Sequence, residues 1–339
     1  WIFNENFSHS EVAEVLLYNR VLSASELDDL QNYLRVKWSG GEVEDFPMLV
    51  RLSYINHPDF DINTFSDPVA GGDLRFYNED HKELIYEVDE WNVSDESLLW
   101  VQVPSLNPTS KVIAYWGNDN NVTPPSYRSD GTLWSGFDGV WHLGNANDSS
   151  SASNTASVNG DSILGASSLL GGGLSLDGTA DYLSINSYNG VAGNNARSVS
   201  VWMKSSELNG ELIGWGSGSD LWNFSWNSTG PRVQIDGTSV EQGFFDLSDN
   251  QWHHVALSFP GITSDLNQTR LFVDGKLVDA PASSVAGIIN TSGILAVKIG
   301  ALHDGTTSTL GNFDEVRISS VSRGDAWIKH SYENQKNSS

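Results

Sequence analysis

Residues 252–259, WHHVALSF, and residues 270–276, RLFVDGK, decide the fold class of this chain. Both are short runs rich in apolar, β-branched and aromatic residues, which is the composition of β-strands. Asp274-Gly275 interrupts an apolar run with the residue pair that favours a two-residue β-hairpin. Similar runs at 198–204 and 296–300 lie on either side. We therefore predict that the C-terminal part of the chain is a β-sandwich of the jelly-roll type.

The region before this sandwich also consists of short alternating runs, each bounded by Gly, Pro, Asn or Asp. These runs are residues 48–52, 74–77, 84–88, 98–103 and 112–116. Their number and spacing predict a second, smaller β-sandwich. Residues 117–137, rich in Asn, Pro and Ser, are predicted to be a linker, and residues 145–173 a long loop.

The first 41 residues repeat a pattern found at the end of the chain. EVLLYNR at 14–20 is followed by Ser23 and Glu26, a capping-box pair that predicts a helix. DEVRI at 314–318 is likewise followed by a short helical pattern. We therefore interpret 1–41 as the closing strand and helix of a preceding domain, 42–137 as the small sandwich with its linker, and 138–339 as the jelly roll. The fold class is all-β, and the chain is expected to be a segment of a longer protein with adjacent domains as partners.

Composition limits the classes of ligand and the cellular location. The 339 residues include 43 acidic and 18 basic side chains, a formal net charge of −25. Such a charge argues against binding nucleic acid or an anionic membrane through a basic surface. No apolar run approaches the roughly 18 residues of a membrane span, so membrane insertion is not expected. The absence of cysteine fits an exported bacterial protein, and we predict an extracellular location, secreted or on the bacterial cell surface.

Three strings in order, LDGTADYL at 176–183, WHHVAL at 252–257 and FDEVRI at 313–318, resemble a laminin-G-like, concanavalin-A-like jelly roll of the bacterial type. Strings at 46–117, such as YEVDEW at 86–91, resemble a bacterial surface-protein domain of uncharacterised function. In that family a laminin-G-like domain commonly follows, opening with a string like GVWHLG at 139–144. The resemblance implies the architecture of large bacterial adhesins and surface-anchored glycan-handling proteins, but it implies no particular ligand.

The same resemblance implies a structural calcium ion. Jelly rolls of this kind often hold one Ca²⁺ with a carboxylate and backbone carbonyls, since Ca²⁺ prefers oxygen ligands. Asp314, in the FDEVRI string, is the first candidate ligand, and Asp181 and Asp177 are the second choices. The alternative is that Asp177-Gly178 is only a turn and Asp314 a solvated strand residue.

Aromatic and polar residues in predicted loops suggest a carbohydrate site. Sugars stack their C–H faces on aromatic rings and pair their hydroxyls with polar side chains. Trp222, Phe224 and Trp226 share one strand face, which predicts core positions. The candidates for a glycan site at the loop rim of the jelly roll are Trp215, Asp220, Tyr188, Asn189, His303 and Asp304.

The sequence gives little support for catalysis. Glycosidases need two carboxylates about 5–9 Å apart, and no Glu-x-Asp-x-Glu string occurs in 138–335. The nearest cluster, Glu87-Val88-Asp89-Glu90, lies in the small sandwich and lacks this spacing. His253-His254 is interpreted as structural. We therefore predict a protein that is not an enzyme.

Three functions remain open from the sequence. The first is a non-catalytic extracellular module of a bacterial surface adhesin that binds a glycan or another ligand on a host or neighbouring cell. The second is a structural spacer or branching module that positions ligand-binding domains. The third is an accessory domain of a polysaccharide-degrading enzyme.

Overall fold

The computed structural model describes residues 41–336 apart from short gaps. The gaps are 54–59, 108–109, 121, 236–237, 243–244, 264, 279–280, 285–286 and 294. The predicted strand and helix of segment 1–41 lie outside the described residues. Among the helices of the described ranges, none is long and apolar enough to cross a membrane.

Two three-stranded antiparallel sheets form the small sandwich at the N-terminal side. The first has the order β1-β5-β4 and the second β3-β2-β6. The strands are β1 (Val43–Leu52), β2 (Arg75–Tyr77), β3 (Glu83–Leu84), β4 (Tyr86–Glu90), β5 (Ser97–Leu106) and β6 (Ile113–Tyr115). Their inward faces bury an apolar core that includes Leu74, Phe76, Tyr86, Leu99 and Val101. This is the small sandwich that the alternating runs predict.

The jelly roll consists of two eight-stranded sheets. The first has the order β19-β18-β17-β12-β22-β10-β9, and β7 pairs with β22 outside that path. Its strands are β7 (Gly139–Trp141), β9 (Ile163–Ser167), β10 (Gly172–Asp177), β12 (Arg197–Lys204), β17 (His253–Phe259), β18 (Arg270–Val273), β19 (Lys276–Leu277) and β22 (Leu310–Ser319). The all-β fold class predicted from the sequence is therefore confirmed.

The second sheet of the jelly roll has the order β20-β16-β15-β14-β13-β21-β11-β8. Its strands are β8 (Ser157–Asn159), β11 (Tyr182–Ile185), β13 (Gly210–Trp215), β14 (Trp222–Asn227), β15 (Gly230–Ile235), β16 (Thr238–Gln242), β20 (Pro281–Ser284) and β21 (Val297–Ile299). The two sheets enclose one large core, to which β14 contributes Trp222, Phe224 and Trp226 as predicted.

Two local predictions have opposite outcomes. Asp274 and Gly275 have φ angles of 51° and 70° and join β18 to β19, so the predicted two-residue hairpin is confirmed. The prediction of a single loop over 145–173 is wrong, because β8, β9 and the start of β10 lie within it. β8 and β9 are short and largely exposed, and they pair through backbone hydrogen bonds with β11 and β10, respectively.

A single α-helix in the described part of the chain, α1 (Asp325–Gln335), follows β22 as predicted and joins the two modules. Trp327 packs edge-to-face on Phe46 of β1, with ring centroids 5.5 Å apart. The Asn334 amide donates to the Leu49 carbonyl at 3.0 Å and accepts from the Leu49 N–H at 2.6 Å. One side chain thus satisfies both backbone groups of a β1 residue. The helix of the jelly roll thereby covers part of the edge of the small sandwich.

The predicted linker takes part in the same junction. Leu133 and Trp134 are buried and pack with Leu49, Trp100 and Val140, which come from both modules. The segment 117–137 is therefore not a simple tether, because its end forms part of the apolar contact between the small sandwich and the jelly roll.

Candidate functional site

The structure contradicts the prediction that Trp215 lies at an exposed rim. Its side chain is fully buried, stacks on Trp222 with ring centroids 3.9 Å apart, and donates its indole N–H to the Val191 carbonyl at 3.3 Å. The reason is that β13 extends as far as Trp215, whose side chain falls on the inward face, and the Gly/Ser-rich loop begins only after it. Gly190 packs so closely that a Cβ there would lie 2.4 Å from the Trp215 ring. The indole is therefore unavailable for stacking on a sugar.

Three of the remaining rim candidates gather near one turn of the jelly roll. The Asp220 carbonyl accepts from the Ser292 N–H at 3.1 Å, and the Asn189 amide donates to the Gly293 carbonyl at 2.8 Å. Tyr188, next to Asn189, packs against the core and donates its hydroxyl to the Asp138 carboxylate at 3.1 Å. Burial, together with the nearby Asp138 charge, raises the pKa of Tyr188 above its usual value. Its hydroxyl is thus engaged within the protein.

His303 and Asp304 lie on a different turn. The His303 N–H donates to the Asn223 side-chain oxygen at 3.2 Å. The Asp304 carboxylate accepts from the N–H and the hydroxyl of Thr306 at 3.0 and 2.7 Å. None of the six rim candidates lines either of the two clefts described below. The glycan site at the jelly-roll rim therefore remains a prediction, and Trp215 is no longer one of its candidate residues.

Two of the three predicted metal ligands lie together. Carboxylate oxygens of Asp161, Asp177 and Asp181 are within 4.8 Å of one another. The buried Asp181 carboxylate accepts from the backbone N–H groups of Asp161 and Asp177 at 2.8 and 2.9 Å, which brings the three residues together. This all-oxygen donor set is of the kind that Ca²⁺ prefers.

Asp314, the first choice as a calcium ligand, is in a different environment. Its side chain is fully buried in β22, and one oxygen accepts from the Ser168 hydroxyl at 2.6 Å and from the Leu170 N–H at 2.8 Å. Burial and the neighbouring Glu315 carboxylate raise the pKa of Asp314 well above its usual value. The alternative of a solvated strand residue is therefore wrong, and the geometry favours Asp177 and Asp181 over Asp314 as calcium ligands.

A cleft of about 390 Å³ in the small sandwich combines aromatic rings with polar groups. Tyr115, at the end of β6, is 48% exposed, and its ring meets Tyr77 of β2 edge-to-face with centroids 5.4 Å apart. Trp116 is held from behind by Phe65, whose ring stacks on it at 5.4 Å. The residues that line this cleft are Asp73, Arg75, Tyr77, His81, Tyr115, Trp116 and Asn118. We call it the aromatic cleft.

The floor of the aromatic cleft is charged and rigid. The Arg75 guanidinium donates to the carbonyls of Gly72 and Thr123, both at 2.9 Å. Asp73 accepts backbone N–H groups from two segments, one at Ser66 and the other at Gly117, where the distance is 2.6 Å. Burial alone would raise the pKa of Asp73, but these hydrogen bonds outweigh it and lower the pKa, so the carboxylate stays charged.

Sequence reasoning missed the aromatic cleft although its residues were visible. Tyr115 and Trp116 are consecutive, and consecutive strand residues point to opposite faces, so both cannot be core residues of one sheet. Gly117 follows directly and has a φ of 83°, which ends the strand and leaves the aromatic pair at an edge. Two consecutive aromatic residues directly before a glycine were therefore the sequence pattern that could have indicated this cleft.

A second cleft of about 850 Å³ lies where the two modules meet, and we call it the junction cleft. Glu87, Asp89 and Glu90 of β4 line one side of it. Asn145, Asn147 and Ser149, which follow β7 of the jelly roll, are among the lining residues of the other side. The lining is mostly polar, and Gly144, Gly165, Gly171 and Gly172 add exposed backbone.

The inner wall of the junction cleft contains a buried cluster of charges. His142 Nδ1 lies 2.7 Å from Glu315 Oε1 and 3.7 Å from Asp89 Oδ2. The other Glu315 oxygen accepts from Arg317 at 2.6 Å, and the Arg317 guanidinium lies 4.2 Å from the Trp100 ring centroid. His142 itself stacks on Trp100 with centroids 5.8 Å apart. Both modules contribute, because Asp89 and Trp100 belong to the small sandwich.

The cluster shifts the protonation of its members. Burial would lower the pKa of His142, but the Asp89 and Glu315 carboxylates outweigh it and raise the pKa well above its usual value. Burial likewise would raise the pKa of Glu315, but His142 and Arg317 hold it below its usual value. Burial raises the pKa of Asp89 to about 6, although the nearby His142 acts to lower it.

Sequence reasoning set aside Glu87 and Asp89 because they lie outside the jelly roll. The structure carries them to His142 and Glu315 through the contact between modules. Two features of the sequence could have indicated this cluster. Glu87 and Asp89 alternate along β4 and therefore share one of its faces. The strand β22 also contains three charged residues that the structure buries, namely Asp314, Glu315 and Arg317.

Comparison with known proteins gives two family-model matches, each over part of the chain. Residues 177–329 match the family model described as the concanavalin A-like lectin/glucanases superfamily, and residues 70–149 match a domain of unknown function, DUF2341. The predicted resemblance, a laminin-G-like jelly roll preceded by an uncharacterised domain, is confirmed. The DUF2341 match runs past residue 137 and includes β7 and His142. No curated protein matches the chain.

Several solved structures are similar at low identity. The botulinum neurotoxin type G receptor-binding domain aligns with a TM-score of 0.42 and 13% identity, over 59% of this chain and 51% of that one. The serotype D ligand-binding domain, solved with N-acetylneuraminic acid, has a TM-score of 0.41 and 16% identity over 58% and 50%. Domain 4 of AbnA, an arabinanase from Geobacillus stearothermophilus solved with arabinotriose, aligns with a TM-score of 0.41 and 16% identity. The alignment covers 57% of this chain and 96% of that domain. This chain spans about half the length of the neurotoxin domains, and such likenesses carry no conclusion about its ligand.

Proposed function

We propose that this chain is a non-catalytic, carbohydrate-binding segment of an extracellular bacterial surface adhesin, with a glycan on a host or neighbouring cell as its ligand. The observation that carries the proposal is the aromatic cleft of the small sandwich. The family model matched by the jelly roll, which is described as the concanavalin A-like lectin/glucanases superfamily, is consistent with a carbohydrate ligand.

The aromatic cleft has the chemistry that sugar recognition needs. The exposed ring of Tyr115 offers an apolar face for sugar C–H groups, and Tyr77 fixes its orientation from the side. The side chains of His81 and Asn118, both exposed, supply polar groups at the rim. A volume of about 390 Å³ lies within the range of small-ligand sites. A mono- or disaccharide at the end of a glycan fits these properties.

A glycan array tests this proposal, with two variants to locate the site. The wild-type chain is expected to bind a restricted set of glycans. Tyr115→Ala removes the exposed ring, and loss of a stacking contact worth about 0.5–1.5 kcal/mol weakens binding by up to roughly tenfold. Asp304→Ala, at the jelly-roll rim predicted from the sequence, is the matched control and should bind as the wild type does.

The other outcomes are equally informative. Loss of binding in Asp304→Ala alone would move the site to the jelly-roll rim. An array with no bound glycan would refute carbohydrate binding and would favour the structural alternative.

That alternative, a spacer or branching module, is supported by the contacts between the modules. Asn334 binds both backbone groups of Leu49, and Trp134 fills the apolar contact between the modules. Contacts of this kind suit a rigid unit that sets the direction of the domains attached to it. Small-angle scattering that required many relative orientations of the two modules would contradict the spacer role. An accessory domain of a polysaccharide-degrading enzyme is the third alternative, and it shares the glycan-binding test.

We also propose that a structural Ca²⁺ is held by Asp161, Asp177 and Asp181 rather than by Asp314. The support is the proximity of the three carboxylates at the turn that opens the LDGTADYL string. The ion would fix the turn between β10 and β11 to the segment between β8 and β9, which backbone hydrogen bonds to Asp181 already join.

A further inference from the structure

We propose that Asp89, His142 and Glu315 form a binding site for a divalent transition-metal ion, of which Zn²⁺ is the representative, at the junction of the two modules. This site is independent of the aromatic cleft, and neither proposal needs the other. One ligand atom from each of the three residues lies within 4.8 Å of the other two.

The donor set selects the class of metal. One imidazole nitrogen and two carboxylate oxygens form a mixed nitrogen–oxygen set, which suits Zn²⁺ and related transition metals. Ca²⁺ and Mg²⁺ prefer oxygen ligands alone. The predicted calcium ion and the metal proposed here therefore differ in chemistry as well as in place.

The charges of the cluster are compatible with a divalent cation. Glu87, Asp89 and Glu315 supply three carboxylates around His142, whereas Arg317 supplies one guanidinium. With His142 neutral, as a metal ligand must be, these groups sum to two negative charges in a largely buried site. The side chains of His142 and Glu315 are only 9% and 1% exposed. A divalent ion that takes the place of the His142 proton would balance these two negative charges.

An unpartnered polar atom lies on the other side of the His142 ring. His142 Nε2 is buried and has no hydrogen-bond partner among the described residues, and it lies 3.9 Å from Glu87 Oε2. The imidazole is therefore satisfied on one nitrogen only. With a metal ion on Nδ1, a proton on Nε2 would point toward the Glu87 carboxylate, which is the arrangement that orients many metal-binding histidines.

The position of the site suggests what a metal ion would do there. Asp89 and His142 line the junction cleft, so an ion between them is reachable by water or by a hydroxyl or carboxylate of a small ligand. Asp89 belongs to β4 of the small sandwich, whereas His142 and Glu315 belong to the jelly roll. The ion would consequently link the two modules as well as face the cleft.

The competing explanation is a protonated His142 between two carboxylates, with no metal. A matched control exists in the same chain. His253 also lies between two carboxylates, but its Nδ1 faces Asp274 at 2.9 Å and its Nε2 faces Asp249 at 3.2 Å. Because these partners lie on opposite sides of the ring, they cannot share one metal ion with a single histidine nitrogen.

Isothermal titration of the EDTA-treated chain with Zn²⁺ alone tests the proposal. We expect one Zn²⁺ per chain, affinity at least tenfold weaker in Asp89→Asn and His142→Gln, and unchanged affinity in His253→Gln. Circular dichroism of the metal-free variants verifies folding. Should His142→Gln fail to fold, the visible absorption of the Co²⁺-loaded wild type and of Asp89→Asn gives the ligand environment directly.

Three results would overturn the proposal. They are a folded wild-type chain that binds no Zn²⁺, an affinity lost in His253→Gln but kept in Asp89→Asn, or an affinity equal in all four proteins. A glycan array without bound glycans would leave the metal site standing, so failure here is distinct from failure of the proposed function.

Discussion

Glu211→Gln should alter the pH dependence of stability in a predictable direction. Glu211 is the second residue of β13, and its backbone N–H donates to the Thr309 hydroxyl at 2.8 Å. Its Oε2 is buried and accepts no hydrogen bond from any described residue. Burial raises the pKa of Glu211 to about 7 from the ordinary 4.5, and Arg232 only partly opposes this. Glutamine resembles the protonated acid in shape and charge, so this substitution removes the titration with little change in packing.

The direction and the magnitude of this pH effect on the free energy of unfolding follow from proton linkage. Below pH 4.5 both the folded and the unfolded chain carry the proton, and Glu211 contributes no pH dependence. As the pH rises from 4.5 to about 7, the unfolded chain loses its proton first, so the free energy of unfolding falls. A difference of about 2.5 pKa units, at about 1.4 kcal/mol per unit, corresponds to a loss of about 3 kcal/mol by pH 8.

Urea unfolding of the wild type and of Glu211→Gln at intervals from pH 4.5 to 8 measures this effect. The difference in free energy of unfolding should shift by about 3 kcal/mol in favour of the variant across this range. Glu207→Gln, at a nearby exposed glutamate, is the charge-matched control. Wild-type and Glu211→Gln profiles that stay parallel within about 0.5 kcal/mol would refute the reasoning.

Three further predictions concern the core and the calcium ligands. Trp215→Ala should destabilise the chain by about 3–5 kcal/mol in urea unfolding, since it empties a fully buried site; a loss below about 1 kcal/mol would return Trp215 to the surface. The pKa of His254 is lowered to about 3 by burial and by Arg317, so His254 should cause stability to fall as the pH drops from 6.5 toward 3; a His254→Asn variant with the same acid sensitivity would contradict this. Asp161→Asn should melt like the wild type in EDTA but lower in calcium; identical melting in both conditions would remove the calcium proposal.

The contact between the modules connects these observations. At the junction the Trp100 and Trp134 rings meet edge-to-face, and the Arg317 guanidinium lies 4.2 and 4.7 Å from their centroids. Trp134 also donates its indole N–H to Glu87, at the mouth of the junction cleft. The residues that hold the modules together therefore also shape the wall on which the proposed metal site lies. Changes in the linker segment are expected to affect both.

Much of the fold could be predicted because its signals are local. Asp274-Gly275 favours left-handed backbone at two consecutive positions, which is the requirement of a tight hairpin. Trp222, Phe224 and Trp226 alternate with polar residues, and a strand must send such a set to one face. The helix after β22 could be expected from the apolar residue Ile328 and its spacing to Tyr332.

The exposure of single residues at element ends was harder to predict. Trp215 stands next to Gly216 in a Gly/Ser-rich segment, so a strand end and a loop start are equally consistent with its local sequence. Its burial depends on where β13 stops and on the approach of Gly190, which comes from another part of the chain. Tyr115 presents the opposite case, because its exposure follows from the short β6 at the edge of a three-stranded sheet.

The sequence by itself determined the all-β class, the succession of a small sandwich and a jelly roll, the hairpin at Asp274-Gly275 and the aromatic core of β14. These depend on periodicity and turn chemistry, which act between residues close in sequence. Only the tertiary structure decided that Asp89, His142 and Glu315 meet, that Trp134 is buried and that Tyr115 borders a cleft. These depend on how two modules pack, and packing joins side chains from distant segments that no local pattern relates.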